Sequence, residues 1–184
     1  MAFIKVNITD DQRKRASALY DFDVLNQSFT KGAGNMTGAL GEIITKDVWS
    51  DKLRFPNKPS YEYDLEIINS NVKVDVKSKR ISNHVVPRAD FKVSVSTNGK
   101  GITQECDWYV FCFITKDEST GYILGWCKKD RYLKESIFKN KGDIDDIGIV
   151  LNKGWKFFNA GYHILIKDLD DIPPPPLQES CWHN

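Results

Sequence analysis

The chain reads as one α/β domain in which a mixed central β-sheet is flanked by helices, and three observations predict it. Residues 61–80 alternate apolar and polar side chains on both sides of Asn69-Ser70-Asn71, the pattern of a β-hairpin. Residues 107–114, Asp-Trp-Tyr-Val-Phe-Cys-Phe-Ile, form a near-continuous apolar run that suits a strand buried on both faces. Met36, Leu40, Ile43, Ile44 and Val48 recur at helical spacing ahead of the hairpin. With 184 residues, 41% of them hydrophobic, the chain can bury one substantial core, so residues 1–172 are expected to form a single domain.

Thr9-Asp10-Asp11-Gln12 is a capping box, opening a helix through about Asp21 with Ala16, Leu19 and Tyr20 as its apolar stripe. Residues 28–35, containing Lys31-Gly32-Ala33-Gly34, read as a mobile connection and not as a phosphate loop. A second helix is expected from Asn35 or Met36 to Trp49. Gly38 and Gly41 each weaken it by roughly 1 kcal/mol against alanine, a cost that close packing on the sheet or passage near a phosphate would justify.

Within the hairpin, Val72, Val74 and Val76 are assigned to the core, and Lys73, Asp75 and Lys77 to the opposite face. On the preceding strand Tyr61, Tyr63, Leu65 and Ile67 form the apolar set, with Glu62, Asp64 and Glu66 opposite. Phe91, Val93 and Val95 alternate with Lys92, Ser94 and Ser96, a further short strand. Residues 122–127 form a strand paired with 107–114 through the turn at 117–121, and a short helix spans about 128–135. Residues 154–158 and 162–166 are expected to be a last pair of strands, and residues 173–184, opening with four prolines, an extended tail.

Composition narrows the classes. No run approaches the ~20 apolar residues of a membrane span, and Met-Ala-Phe-Ile-Lys is no signal peptide, so a cytoplasmic protein is expected. Cys106, Cys112, Cys127 and Cys181 lack CxxC spacing and read as reduced structural thiols; His84, His163 and His183 form no ligand cluster. Residues 1–142 carry 23 Lys and Arg against 18 Asp and Glu, whereas residues 143–184 carry 3 against 7. That asymmetry permits a nucleic-acid ligand on the first part without demanding one.

The chemistry-bearing residues are concentrated in the hairpin. Strand alternation sets Asp75 beside Lys77, and the hairpin brings Asp64 near Asp75. Clustered carboxylates repel one another unless a cation joins them, and hard oxygen ligands suit Mg²⁺ or Mn²⁺. A plainer reading makes Asp75 and Lys77 the solvated face of a half-exposed sheet, and Glu42 an exposed helical glutamate. Glu66 shares the parity of Asp64 and stays open as an accessory ligand.

On these residues the chain resembles the PD-(D/E)XK nuclease superfamily, the fold of restriction endonucleases, junction resolvases and phage exonucleases. The resemblance covers residues 35–127 and rests on Glu42, Asp64 and Asp75-Val76-Lys77, with the strand opening Asp107-Trp108-Tyr109 as added context. Tyr63 stands where the motif's proline is usual. The resemblance implies a restriction-endonuclease-like fold and Mg²⁺-dependent hydrolysis of DNA phosphodiesters. By it, Glu42, Asp64, Asp75 and Lys77 are catalytic; Asp64, Asp75, the Val76 carbonyl and Glu42 hold metal; and Lys77 orients water or stabilises charge. Ser78, Lys79, Arg80 and Arg88 are candidate contacts to the DNA backbone. A homodimer would supply two active sites for two strands. The alternative is a catalytically inactive nucleic-acid-binding or assembly domain on the same fold.

Overall fold

The computed structural model describes residues 3–19, 33–57, 62–97, 101–148, 154–171 and 173–174. In chain order the elements are β1 (Ile4–Asn7), α1 (Asp10–Leu19), α2 (Ala33–Val48), β2 (Leu53–Arg54), β3 (Leu65–Ile67), β4 (Lys73–Ile81), β5 (Lys92–Ser96), β6 (Trp108–Thr115), β7 (Thr120–Lys128), α3 (Lys129–Glu135), β8 (Ile137–Lys139) and β9 (Gly161–Leu165), then a 3-10 turn, Ile166–Asp168. Six strands form a mixed sheet in the order β1-β7-β6-β4-β3-β2, in which β4 and β6 are parallel and the other neighbours antiparallel. The remaining three form an antiparallel sheet, β5-β9-β8.

Alternation along β6 explains the layering. Val110, Cys112 and Ile114 point to one core, where they meet Ala39, Leu40, Ile43 and Ile44 of α2 and Ala16 of α1. Tyr109, Phe111 and Phe113 point to the other, shared with Val93 and Val95 of β5, Ile164 of β9 and Tyr132 of α3. A strand flanked by two cores is apolar at nearly every position, which is why residues 107–114 show no period of two. The chain is therefore mixed α/β, with the central sheet covered by helices on one face and by a second sheet on the other. Among the described residues, no helix is long and apolar enough to cross a membrane.

Local signals account for the helices. The expected capping box opens α1: Gln12 N–H donates to Thr9 Oγ1 at 3.2 Å, and Thr9 N–H donates to Gln12 Oε1 at 3.0 Å. Gln12 also donates to Asp47 of α2, and Arg15 holds the same carboxylate at 2.6 Å, tying the two helices together. A β-carbon built on Gly41 would lie 1.9 Å from Ser78 Oγ and 3.1 Å from Ser78 Cβ, so α2 approaches β4 more closely than any side chain there would allow.

Several expectations need correction. Gly38 has nothing within 4 Å of its built β-carbon, so close approach belongs to Gly41 alone of the two. Val48 is exposed, and Trp49 instead caps the apolar stripe by packing on Trp126 at 5.1 Å. The helix α2 begins at Ala33, inside the stretch expected to be a connection. Residues 154–158 do not form a strand; Lys156 makes one isolated bridge to Ile144, and β8 takes the place beside β9. β1 and β2 went unforeseen because four- and two-residue strands carry too little periodicity to register. The expected positions Tyr20, Asp21, Tyr61 and Cys181, the connection at 28–32, and the tail beyond residue 174 lie outside the described residues. Cys106, Cys112 and Cys127 are buried free thiols.

Candidate active site

The hairpin makes its last backbone bond at Asp64, whose N–H donates to the Val74 carbonyl at 3.0 Å. Leu65 lies opposite Val74, and Glu66 opposite Lys73, but β3 extends no further toward its start. Val76 N–H donates at 2.7 Å to Asp64 Oδ2, a side-chain acceptor where a longer hairpin would use a backbone carbonyl. The preceding chain turns away, and the Glu62 carbonyl accepts from Glu105 N–H at 3.1 Å. Asp64 thereby opens a gap beside the middle of β4 and places its carboxylate inside it.

Parity along β4 assigns the neighbours. Val74 and Val76 enter the helix-side core, whereas Asp75 and Lys77 face the second sheet. Asp75 is not solvated: it is 3% exposed. Its pairing partner across the parallel register is Tyr109. Lys77 Nζ stands 2.5 Å from Asp75 Oδ2. At that distance the ammonium is the direct charge partner of the buried carboxylate.

The electrostatics follow from this enclosure. Burial, then the Asp75 charge, push the Asp64 carboxyl up to about 7 against the pull of Lys77 and of the Val76 N–H. Burial of the Lys77 ammonium opposes its charge, but Asp75 and Asp64 outweigh it and hold its pKa above the ordinary lysine range. Burial followed by Asp75 also raises the neighbouring Cys106 thiol to about 12, and burial raises the Tyr109 phenol. Both stay neutral, so once Asp64 gives up its proton two carboxylates face one ammonium across otherwise neutral walls. An excess of one buried negative charge is the condition under which a divalent cation binds favourably.

The structure joins Asp64, Asp75 and Lys77, and it carries Glu42 on α2, the helix that packs against β4. Glu42 is 5% exposed on α2, next to Gly41, which packs on Ser78 and Val76 from the helix side of β4. Among the described residues, no three Asp, Glu, His or Cys side chains form a metal-sized group. The chain matches no protein-family model and no curated protein.

The remaining candidates separate by face. Glu66 accepts from Tyr63 Oη at 2.8 Å and pairs with Arg54 at 2.9 Å, which places it outside the pair. Ser78 Oγ is buried against Gly41 on the helix side. Lys79 is exposed over the Phe113 ring; Arg80 is exposed and donates to the Lys116 carbonyl at 2.7 Å; Arg88 pairs with Asp90 at 3.2 Å. Asp107 caps a strand end, its Oδ2 accepting from Lys73 N–H at 2.8 Å. Cys106 and Tyr109 were not singled out from the sequence. The parallel register of β4 on β6, which sequence alone does not supply, sets Tyr109 against Asp75.

Beside the pair lies a cavity of about 500 Å³ between the two sheets, lined by Lys77, Lys79, Phe113, Phe157, Phe158 and His163 among others. It begins at the lysine of the candidate site and runs away from it along β4.

Proposed function

We propose that the chain is a divalent-metal-dependent nuclease that hydrolyses DNA phosphodiester bonds on a restriction-endonuclease-like fold, serving DNA repair, recombination or phage DNA processing. The observation that carries this reading is the buried pair of carboxylates, Asp64 and Asp75, set beside Lys77 at the point where a hairpin opens. Asp64 and Asp75 would hold Mg²⁺ or Mn²⁺, together with the Val76 carbonyl, which an extended strand turns to the same edge as the N–H that meets Asp64. The metal would activate water and neutralise phosphate charge.

The chain's own groups supply the rest. Lys77 stays protonated because two carboxylates favour its charge, so it acts as a fixed cation that donates to a phosphate oxygen or to the attacking water. It is not the base. Asp64, pushed up to about 7 without metal and held by a fixed hydrogen bond from Val76, would give up its proton as the cation binds. The closed floor of Cys106 and Tyr109 excludes water from beneath Asp75 and keeps its field directed toward the gap.

That no three Asp, Glu, His or Cys side chains among the described residues form a metal-sized group favours a second reading, a nucleic-acid-binding or assembly domain without turnover. One assay separates the two: a labelled panel of duplex, nicked, junction and single-stranded DNA and RNA, incubated with Mg²⁺, Mn²⁺ or EDTA. Metal-dependent cleavage that disappears in both Asp75→Ala and Lys77→Ala establishes the nuclease. Binding with no cleavage of any substrate establishes the second reading.

A further inference from the structure

His163 sits on β9, opposite Ser94 of β5 and Ile137 of β8, and is 6% exposed. Both of its ring nitrogens are buried without a hydrogen-bond partner, although the ring lines the cavity beside the candidate site. A polar side chain in that position costs free energy unless a partner arrives. Burial, then Lys92, hold its pKa down at about 4, so at neutral pH the ring is uncharged and offers one donor and one acceptor. That combination matches the edge of a nucleobase better than it matches a phosphate.

The other walls point to the same kind of ligand. The Phe157 ring lies 4.4 Å from the His163 ring. Phe158, at the rim, is 72% exposed and meets Trp155 edge-on at 5.8 Å, leaving aromatic surface open to solvent. Exposed aromatic rings beside cationic side chains are the materials from which proteins build stacking platforms for unpaired bases. Lys77 and Lys79 occupy the end of the cavity nearest the carboxylates, on the same side of β4, spaced to follow a phosphate backbone away from the cleavage point. The volume of about 500 Å³ lies within the range of small-molecule pockets and suits a single nucleotide.

We propose that the cavity between the two sheets receives one unpaired nucleotide of single-stranded DNA, its base stacked at Phe158 and edge-bonded by His163 once that ring turns a nitrogen into the cavity, its phosphate against Lys79. This rests on the nuclease reading for the position of the cleaved bond, but not for binding itself. The substrate is accordingly single-stranded DNA, or a duplex end frayed to expose one base.

The test is binding in EDTA, where no cleavage can occur, followed by fluorescence anisotropy. The probes are a labelled single-stranded DNA 12-mer, the same strand with a run of abasic positions, its RNA counterpart and a blunt duplex. The intact single strand is expected to bind about tenfold more tightly than the duplex or the abasic strand. Phe158→Ala and His163→Leu should each erase most of that preference without changing duplex affinity, and His163→Gln should retain part of it. Phe158 is exposed, so its variant folds normally; thermal melting checks His163→Leu. Equal affinity for single strand and duplex, or a preference untouched by Phe158→Ala, overturns the proposal, and tighter binding of the RNA strand overturns the assignment to DNA. A protein that binds the single strand selectively but never cleaves with metal refutes the nuclease reading alone. One that cleaves without single-strand preference refutes this inference alone.

Discussion

Replacing Asp64 by Asn should stabilise the metal-free protein, increasingly so as pH rises. Asp64 titrates at about 7 in the folded chain and at 3.8 ordinarily, so between those values the native state retains a proton that the unfolded state has lost. Stability therefore falls as pH rises through that window and levels off above it. At about 1.4 kcal/mol per pKa unit, the gap is worth about 4 kcal/mol, an upper bound because Asp64 keeps some exposure. Asn preserves an oxygen for the Val76 N–H and removes the charge that Asp75 opposes. The advantage of Asp64→Asn over wild type should thus be small, about 1 kcal/mol, at pH 4.5 and about 2–4 kcal/mol at pH 8. Urea denaturation of both proteins in EDTA across this range measures the difference, in which the other carboxylates cancel. Adding Mg²⁺ at pH 8 should raise the wild type's stability and narrow the gap. A difference that stays constant with pH, or shrinks as pH rises, would refute the account of Asp64 as a destabilised carboxylate.

Other outcomes follow from single contacts. Gly41→Ala should cost about 1–3 kcal/mol in chemical denaturation, because α2 must lift from β4, and Ser78→Ala in the same chain should return part of it by removing the nearest atom. Tyr132→Phe breaks two bonds, one accepted from Val95 N–H at 3.0 Å and one donated to the Tyr162 carbonyl at 2.7 Å, and should cost about 1–3 kcal/mol with loss of amide protection in β5 and β9 first. Lys77→Met leaves Asp75 buried without its cation and should destabilise by about 3 kcal/mol, whereas Lys77→Met with Asp75→Asn should recover most of it in a double-mutant cycle.

Much of the central sheet was legible because its signals are local. The alternation at 72–80, the two-faced apolar run of β6 and the capping box at Thr9 each reflect neighbours a few residues apart, and each element formed where its pattern stood. The strand expected over 154–158 failed for the opposite reason: its apolar residues serve a loop whose rings meet one another and His163, not a ladder. At the site, parity placed Asp75 beside Lys77 but left open whether their face is solvated or enclosed, since nothing local reveals that β5 and β9 fold over it. The same long-range packing decides Glu42. Its helical position was readable, but which side of β4 the helix covers depends on Gly41 meeting Ser78, thirty-seven residues away along the chain. His163 looked ordinary for a similar reason. A histidine's missing partners are a property of the finished cavity.

The connection between the two parallel strands carries a last consequence. After β4 the chain leaves the large sheet, adds β5 to the small one and only then returns as β6, so the wall of the cavity and the strand bearing Asp75 and Lys77 are successive lengths of one thread. The small sheet is consequently no detachable appendage. Residues inserted or removed between Ile81 and Lys92 would be taken up within that connection, because a one-residue slide of β5 would turn Val93 and Val95 out of the core. In a chain built this way, the connection can change in length while the cavity wall and the strand bearing Asp75 and Lys77 keep their register.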